Sequence, residues 1–243
     1  MKTKRFADPR YIGDPINAVR ILNDKRVDEL FLLDITATVN KAEPNLDFLE
    51  EVVSEASMPV CFGGGISGVD TASRLFSIGI EKVSIQSAAI ANPSLIEKMA
   101  NRFGSQAVVF SIDLRQDWRG NWQPREKEAL RFRKDRWQHL VSRAVECGAG
   151  EVLVTNVDRE GTRSGLDVEL ISEIARVTNV PIVVQGGVGS MTDVRAGLNA
   201  GADAIAAGAF FVFHGPHDAV LITYPRPEEL KLLRSFDRQC SSK

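Results

Sequence analysis

The chain has 243 residues, of which 44% are hydrophobic and 26% charged, with a formal net charge of −2. These values describe an ordinary globular chain, not a disordered or nucleic-acid-binding one, and no apolar run reaches membrane-spanning length. The three cysteines, Cys61, Cys147 and Cys240, are odd in number and far apart, so neither a disulfide framework nor a metal-ligand spacing appears, and a reducing, cytoplasmic setting without metal or other cofactor is expected.

In chain order, the basic start MKTKRFADPR lacks the apolar stretch of a signal peptide. Short apolar runs then alternate with segments of helical length. The runs predict strands at 30–35, 59–62, 82–85, 107–113, 151–157, 181–184 and 204–207. Helices are expected near 14–25, 45–56, 68–78, 93–102, 135–147, 167–178, 191–200 and 226–237. The runs are continuous rather than alternating, as in parallel strands buried on both faces. Cys61 falls in one of them and reads as a small core residue. The basic stretch 115–136 is interleaved with Asp117, Glu126, Glu128 and Asp135 and reads as a solvated loop and helix start.

A repeat chooses between an open sheet and a barrel. Displaced by 122 residues, the chain matches itself without a gap: Glu29 falls on Glu151, Pro59 on Pro181, Gly64-Gly65 on Gly186-Gly187 and Gly79 on Gly201. Two equivalent halves of four βα units predict a single α/β domain over 1–243, a (β/α)8 TIM barrel with a half-barrel repeat. The same offset puts the partner of the strand ending at Asp113 before Met1. The expectation is therefore a barrel whose first strand is missing from this chain, with Met1 a late start or a truncation point.

Barrel chemistry sits at the carboxyl ends of the strands. There the sequence places Asp34 with Thr36, Gly63 to Gly65, Gln86-Ser87, Asp113, Asn156 to Thr162, Gln185 to Gly187 and Gly208-Ala209. Glycines and helix starts let backbone N–H groups approach an anion. Gly64, Gly65, Gln86 and Ser87 form one candidate phosphate cradle, and Gly186, Gly187, Gly208 and Ala209 a second. Two cradles suit a substrate phosphorylated at both ends; the plainer alternative is that the glycines only make tight turns. Asp113 and Glu160 are candidate general acids or bases, although Glu160 could instead pair with Arg159 or Arg163. At the opposite end, Glu29, Lys82 and Glu151 begin strands and ring the barrel bottom, where charges usually serve stability.

Several motifs carry a resemblance: LLDITA at 32–37, FGGGI at 62–66, KVSI at 82–85, FGSQAV at 103–108, SID at 111–113, GAGE at 148–151 and DREGTRSG at 158–165. Together, from Arg5 to Phe213, the chain resembles HisF, the cyclase subunit of imidazole glycerol phosphate synthase. The resemblance implies a HisH-type glutaminase partner docked on the barrel bottom, with ammonia passing through the barrel to a bis-phosphorylated ribonucleotide at the mouth. It implies catalysis by Asp113 and Glu160, and substrate contacts from Thr155 and Gly161 as well as the two cradles. Glu29, Lys82 and Glu151 match an ammonia gate. The family's principal aspartate belongs to the strand absent here. Glu160 replaces an aspartate, Gln86 an asparagine, Gln185 a serine, and Gly208-Ala209 an Ala-Ser pair.

The stretches at 8–21 and 211–225 are similar to a HisF paralogue associated with sugar amidation in surface-polysaccharide clusters (the WbuZ type). That likeness implies a separate sugar amidotransferase as a further partner and leaves His214 and His217 beside the mouth. Three readings therefore stand: ammonia delivery for sugar amidation, the histidine-pathway cyclase, and a non-catalytic scaffold for the glutaminase.

Overall fold

The computed structural model describes residues 1–125, 137–215 and 217–234. The expectations for Glu126, Glu128, Asp135 and Cys240, and for the ends of the 135–147 and 226–237 helices, lie outside these residues. Seven parallel strands carry the fold: β3 (Leu30–Leu33), β4 (Val60–Gly63), β5 (Lys82–Ile85), β6 (Val108–Gln116), β8 (Glu151–Asn156), β9 (Ile182–Gln185) and β10 (Ala204–Ala206). They are hydrogen-bonded in the order β10-β9-β8-β6-β5-β4-β3. The long helices between them are α1 (Pro15–Asp24), α3 (Leu46–Glu55), α4 (Val69–Ser77), α6 (Ser94–Phe103), α7 (Trp137–Glu146), α8 (Val168–Ala175) and α9 (Met191–Asn199). All seven strands and seven of the helices fall where the apolar runs and helical segments predict them. No described helix is long and apolar enough to cross a membrane.

Two apolar layers show that the sheet curls. The main cluster fills the space between strands and helices, with Phe110, Ile112, Leu75, Met99, Ile171 and Ile174 among its members. A separate cluster of Cys61, Val109, Leu153 and Val183 is joined by Phe31 and Leu33 from one end of the sheet and Ala206 from the other. An open sheet could not bring both ends onto one cluster. This is the curl of a (β/α)8 barrel; among the described residues its edge strands β3 and β10 do not pair with each other.

The 122-residue repeat persists down to single hydrogen bonds. Leu30 pairs with Val60 and Cys61 with Lys82; at the same displacement Val152 pairs with Ile182 and Val183 with Ala204. Leu30 N bonds Pro59 O as Val152 N bonds Pro181 O, both at 2.9 Å, and Glu81 N bonds Val60 O as Asp203 N bonds Ile182 O, both at 3.0 Å. Asn45 accepts from Phe48 N to cap α3, and Asp167 accepts from Leu170 N to cap α8.

Four features depart from expectation. The basic start folds as an antiparallel hairpin, β1 (Lys2–Lys4) with β2 (Ala7–Arg10). Strand β6 continues past Asp113 to Gln116, because β7 (Trp122–Pro124) pairs with its last three residues; Asp113 is thus inside the strand, not at its end. Short helices α2 (Ala37–Asn40), α5 (Ser87–Ala91) and α10 (Ala209–Val212) follow β3, β5 and β10. A second small hairpin, β11 (Phe213–His214) with β12 (Ala219–Val220), precedes α11 (Pro227–Arg234).

Candidate functional site at the barrel mouth

The strand ends after β3 and β8 are built alike. Asp34 accepts hydrogen bonds from Thr36 N at 2.9 Å and Ala37 N at 3.1 Å, and Asn156 accepts from Arg159 N at 3.2 Å. Asp34 thereby organises its own turn, as an aspartate side chain does by bonding backbone N–H groups two and three residues on. The neighbouring strands then require glycine. Gly64 (φ 121°) and Gly186 (φ 103°) hold left-handed backbone, and a Cβ on either would collide with the carbonyl oxygen of Asp34 or Asn156.

The first cradle consists of Gly64 and Gly65 after β4, with Gln86 and Ser87 at the β5–α5 junction. In the second cradle six predicted residues converge: Glu160, Gly161, Gly186, Gly187, Gly208 and Ala209 line one depression, together with Arg163 and Ala206. Asp113, Thr155 and Gln185 form one row across β6, β8 and β9. Gln185 Nε2 donates to Thr155 Oγ1 at 2.8 Å.

Glu160 pairs with neither arginine that stood as the alternative to a catalytic role. Arg159 is engaged by Asp167 and by the carbonyls of Gly165 and Leu166, and Arg163 by Asp218 and the Phe213 carbonyl. The buried Glu160 carboxylate pairs with the Lys2 ammonium, and Arg5 N bonds the Glu160 carbonyl at 2.9 Å. The Lys2 side chain also fills the space where a side chain at Gly208 would stand. The N-terminal hairpin therefore lies over the second cradle and brings a cation into it. Sequence reading missed Lys2; its only signal was the basic character of the first residues. His214 Nε2 is hydrogen-bonded to Thr223 Oγ1 at 2.9 Å, while His217 is exposed.

At the opposite end, Lys82 Nζ donates to Glu29 at 3.0 Å and to Glu151 at 2.8 Å, joining the starts of β3, β5 and β8 across the interior. The second oxygen of each carboxylate, Oε1 of Glu29 and of Glu151, is buried without a hydrogen-bond partner. Burial raises the Glu29 pKa, against the pull of Lys82. Burial also works against the Lys82 ammonium, but its bonds to Glu151 and Glu29 outweigh it and hold the pKa above the ordinary value. Cys61, the next layer of the axis, is fully buried; burial, reinforced by Glu29 and Glu151, pushes its thiol pKa far up, so it stays a protonated packing group. Among the described residues no cluster of three His, Cys, Asp or Glu side chains gathers as metal ligands.

The family described as histidine biosynthesis protein matches residues 1–217. A Pseudomonas aeruginosa chain named as imidazole glycerol phosphate synthase subunit hisF2 is 44% identical over 231 residues, covering 95% of this chain and 92% of the relative. A Leptospira borgpetersenii chain named as subunit HisF is 40% identical over 235 residues, 96% of this chain and 92% of the relative. The imidazole glycerol phosphate synthase subunit HisF of Exiguobacterium sibiricum is 38% identical over 242 residues, 97% and 91%. These homologues are all named as subunits of imidazole glycerol phosphate synthase. A curled barrel of parallel strands and matches of this extent agree: the chain belongs to the HisF family of histidine biosynthesis proteins.

Proposed function

We propose that this chain is a cyclase-type barrel subunit that binds a phosphorylated ligand across its mouth and receives ammonia from a HisH-type glutaminase at its base. The observation that carries the reading is the convergence of Glu160, Gly161, Gly187, Gly208 and Ala209 on one depression, half a barrel away from a second glycine turn of the same build. Two such seats match a ligand with phosphate at both ends. Asp113, in the row between them, is the proposed general acid–base residue, with Glu160 as its counterpart beside the second seat. Thr155 holds the floor of the mouth. Glu29, Lys82 and Glu151 are the proposed gate for ammonia at the base.

One observation favours a second reading, amidation of a surface-polysaccharide sugar alongside a separate amidotransferase. The 211–225 stretch that resembles the sugar-amidation paralogue is fixed beside the second cradle by Arg163, through the Phe213 carbonyl and Asp218. It gives that side of the mouth a wall of its own.

The deciding experiment is an ammonium-dependent assay for imidazole glycerol phosphate, using the chain with the family's bis-phosphorylated ribonucleotide. The cyclase reading expects turnover, and loss of about 100-fold or more in Asp113→Asn, the usual scale for removing a general acid–base group. Phosphate binding without turnover supports the amidation reading. Neither binding nor turnover, with glutaminase stimulation retained, identifies a scaffold.

A further inference from the structure

At the 122-residue displacement Gly63 falls on Gln185, and Gln86 on Gly208. Each half of the barrel thus has one glutamine and one glycine at these two positions, but on exchanged strands. In the first half no side chain fits at Gly63, where a Cβ would stand 2.9 Å from Leu33 Cδ2 and 3.0 Å from Ser84 Cβ. In the second half the equivalent position carries the Gln185 side chain, while Lys2 fills the space at Gly208.

Strand alternation puts Gln185 on the inner face of the barrel, two residues beyond Val183 of the inner cluster. Its neighbours in the row are Thr155 on one side and Ala206 on the other. Thr155 is fully buried on a central strand, so the 2.8 Å bond from Gln185 Nε2 fixes the amide to a rigid element. A carboxamide has two N–H donors and an oxygen with two lone pairs. The bond to Thr155 uses one donor. Among the described residues nothing bonds Gln185 Oε1, and it is not one of the buried oxygens. An oriented acceptor therefore opens onto the mouth, next to the depression of Glu160, Gly161 and Gly187 but outside its lining.

We propose that Gln185 is a specificity-determining residue: its Oε1 accepts a hydrogen bond from an O–H or N–H on the part of the ligand adjoining the phosphate in the second cradle. The inference rests on the phosphate-binding reading of the mouth. A fixed acceptor discriminates by leaving itself unpaired when the ligand brings no donor.

Calorimetric titration of the full chain with inorganic phosphate, and separately with imidazole glycerol phosphate, tests it. The wild-type chain binds both. Gln185→Met, of similar length but without hydrogen-bonding groups, weakens imidazole glycerol phosphate about tenfold and leaves inorganic phosphate within about twofold, in line with a single lost hydrogen bond. Gln185→Asn, which keeps the carboxamide but shortens its reach by one methylene, gives a smaller loss of the same selectivity and serves if Gln185→Met does not fold. Equal loss for both ligands, loss for neither, or a wild-type chain that binds phosphate but not imidazole glycerol phosphate overturns the role of Gln185. A wild-type chain that binds neither ligand overturns the phosphate reading beneath it.

Discussion

Lys82 holds two carboxylates that each keep a buried oxygen unpaired, so both depend on it for their compensation. Removing one partner of a buried ion pair strands the other's charge. Lys82→Met is expected to cost about 3 kcal/mol at neutral pH, the low end of that effect for groups that retain some solvent contact. The pH dependence has a definite sign. The Glu29 pKa is already raised by burial, and without Lys82 it rises further above its unfolded value. Stability is then retained where the carboxylate is protonated and lost as pH climbs through the folded pKa. Urea unfolding should give a larger deficit at pH 8 than at pH 5; a deficit independent of pH would contradict the ion-pair account. This ring was legible in the sequence because charged residues opening apolar runs can only sit at strand starts. The Lys2–Glu160 pair was not legible. Its two members are 158 residues apart, and the hairpin that delivers Lys2 has no apolar alternation. That hairpin turns instead through left-handed backbone at Arg5, Phe6 and Asp8.

Among the elements, the long helices announce their own ends. Asn45 and Asp167 occupy the same repeat position and cap α3 and α8 with the same side-chain to backbone bond. Asn45→Ala and Asp167→Ala should each lower stability by about 1 kcal/mol, the usual value of such a cap, with each loss measured by thermal unfolding. Unequal losses of several-fold would show that the two halves no longer share one local design. The helices α2, α5 and α10 were not anticipated, because four or five residues span little more than one turn and leave no periodic pattern. The extension of β6 was missed for a related reason. Residues beyond Asp113 become strand through pairing with Trp122–Pro124, a contact that local composition does not report.

Across the whole molecule, the candidate functional features divide between two ends of one axis. The base is closed by an ion-pair ring, the middle by Cys61, Val109, Leu153 and Val183, and the mouth by glycine turns and a polar row. The fold and its register were readable from the 122-residue repeat, since backbone geometry is what that repeat conserves. The chemistry of the second cradle was readable only in outline. The N-terminal hairpin adds Lys2 beside Glu160, and Phe213 and Asp218 hold Arg163; neither segment takes part in the repeat. The claim on which the account turns is that the two halves present two anion seats to one mouth. Backbone amide NMR during titration with inorganic phosphate tests it most directly. The account predicts saturable shifts in two groups, Gly65 with Ser87, and Gly161 with Gly187 and Ala209. Shifts confined to one group, or absent from both, would contradict it.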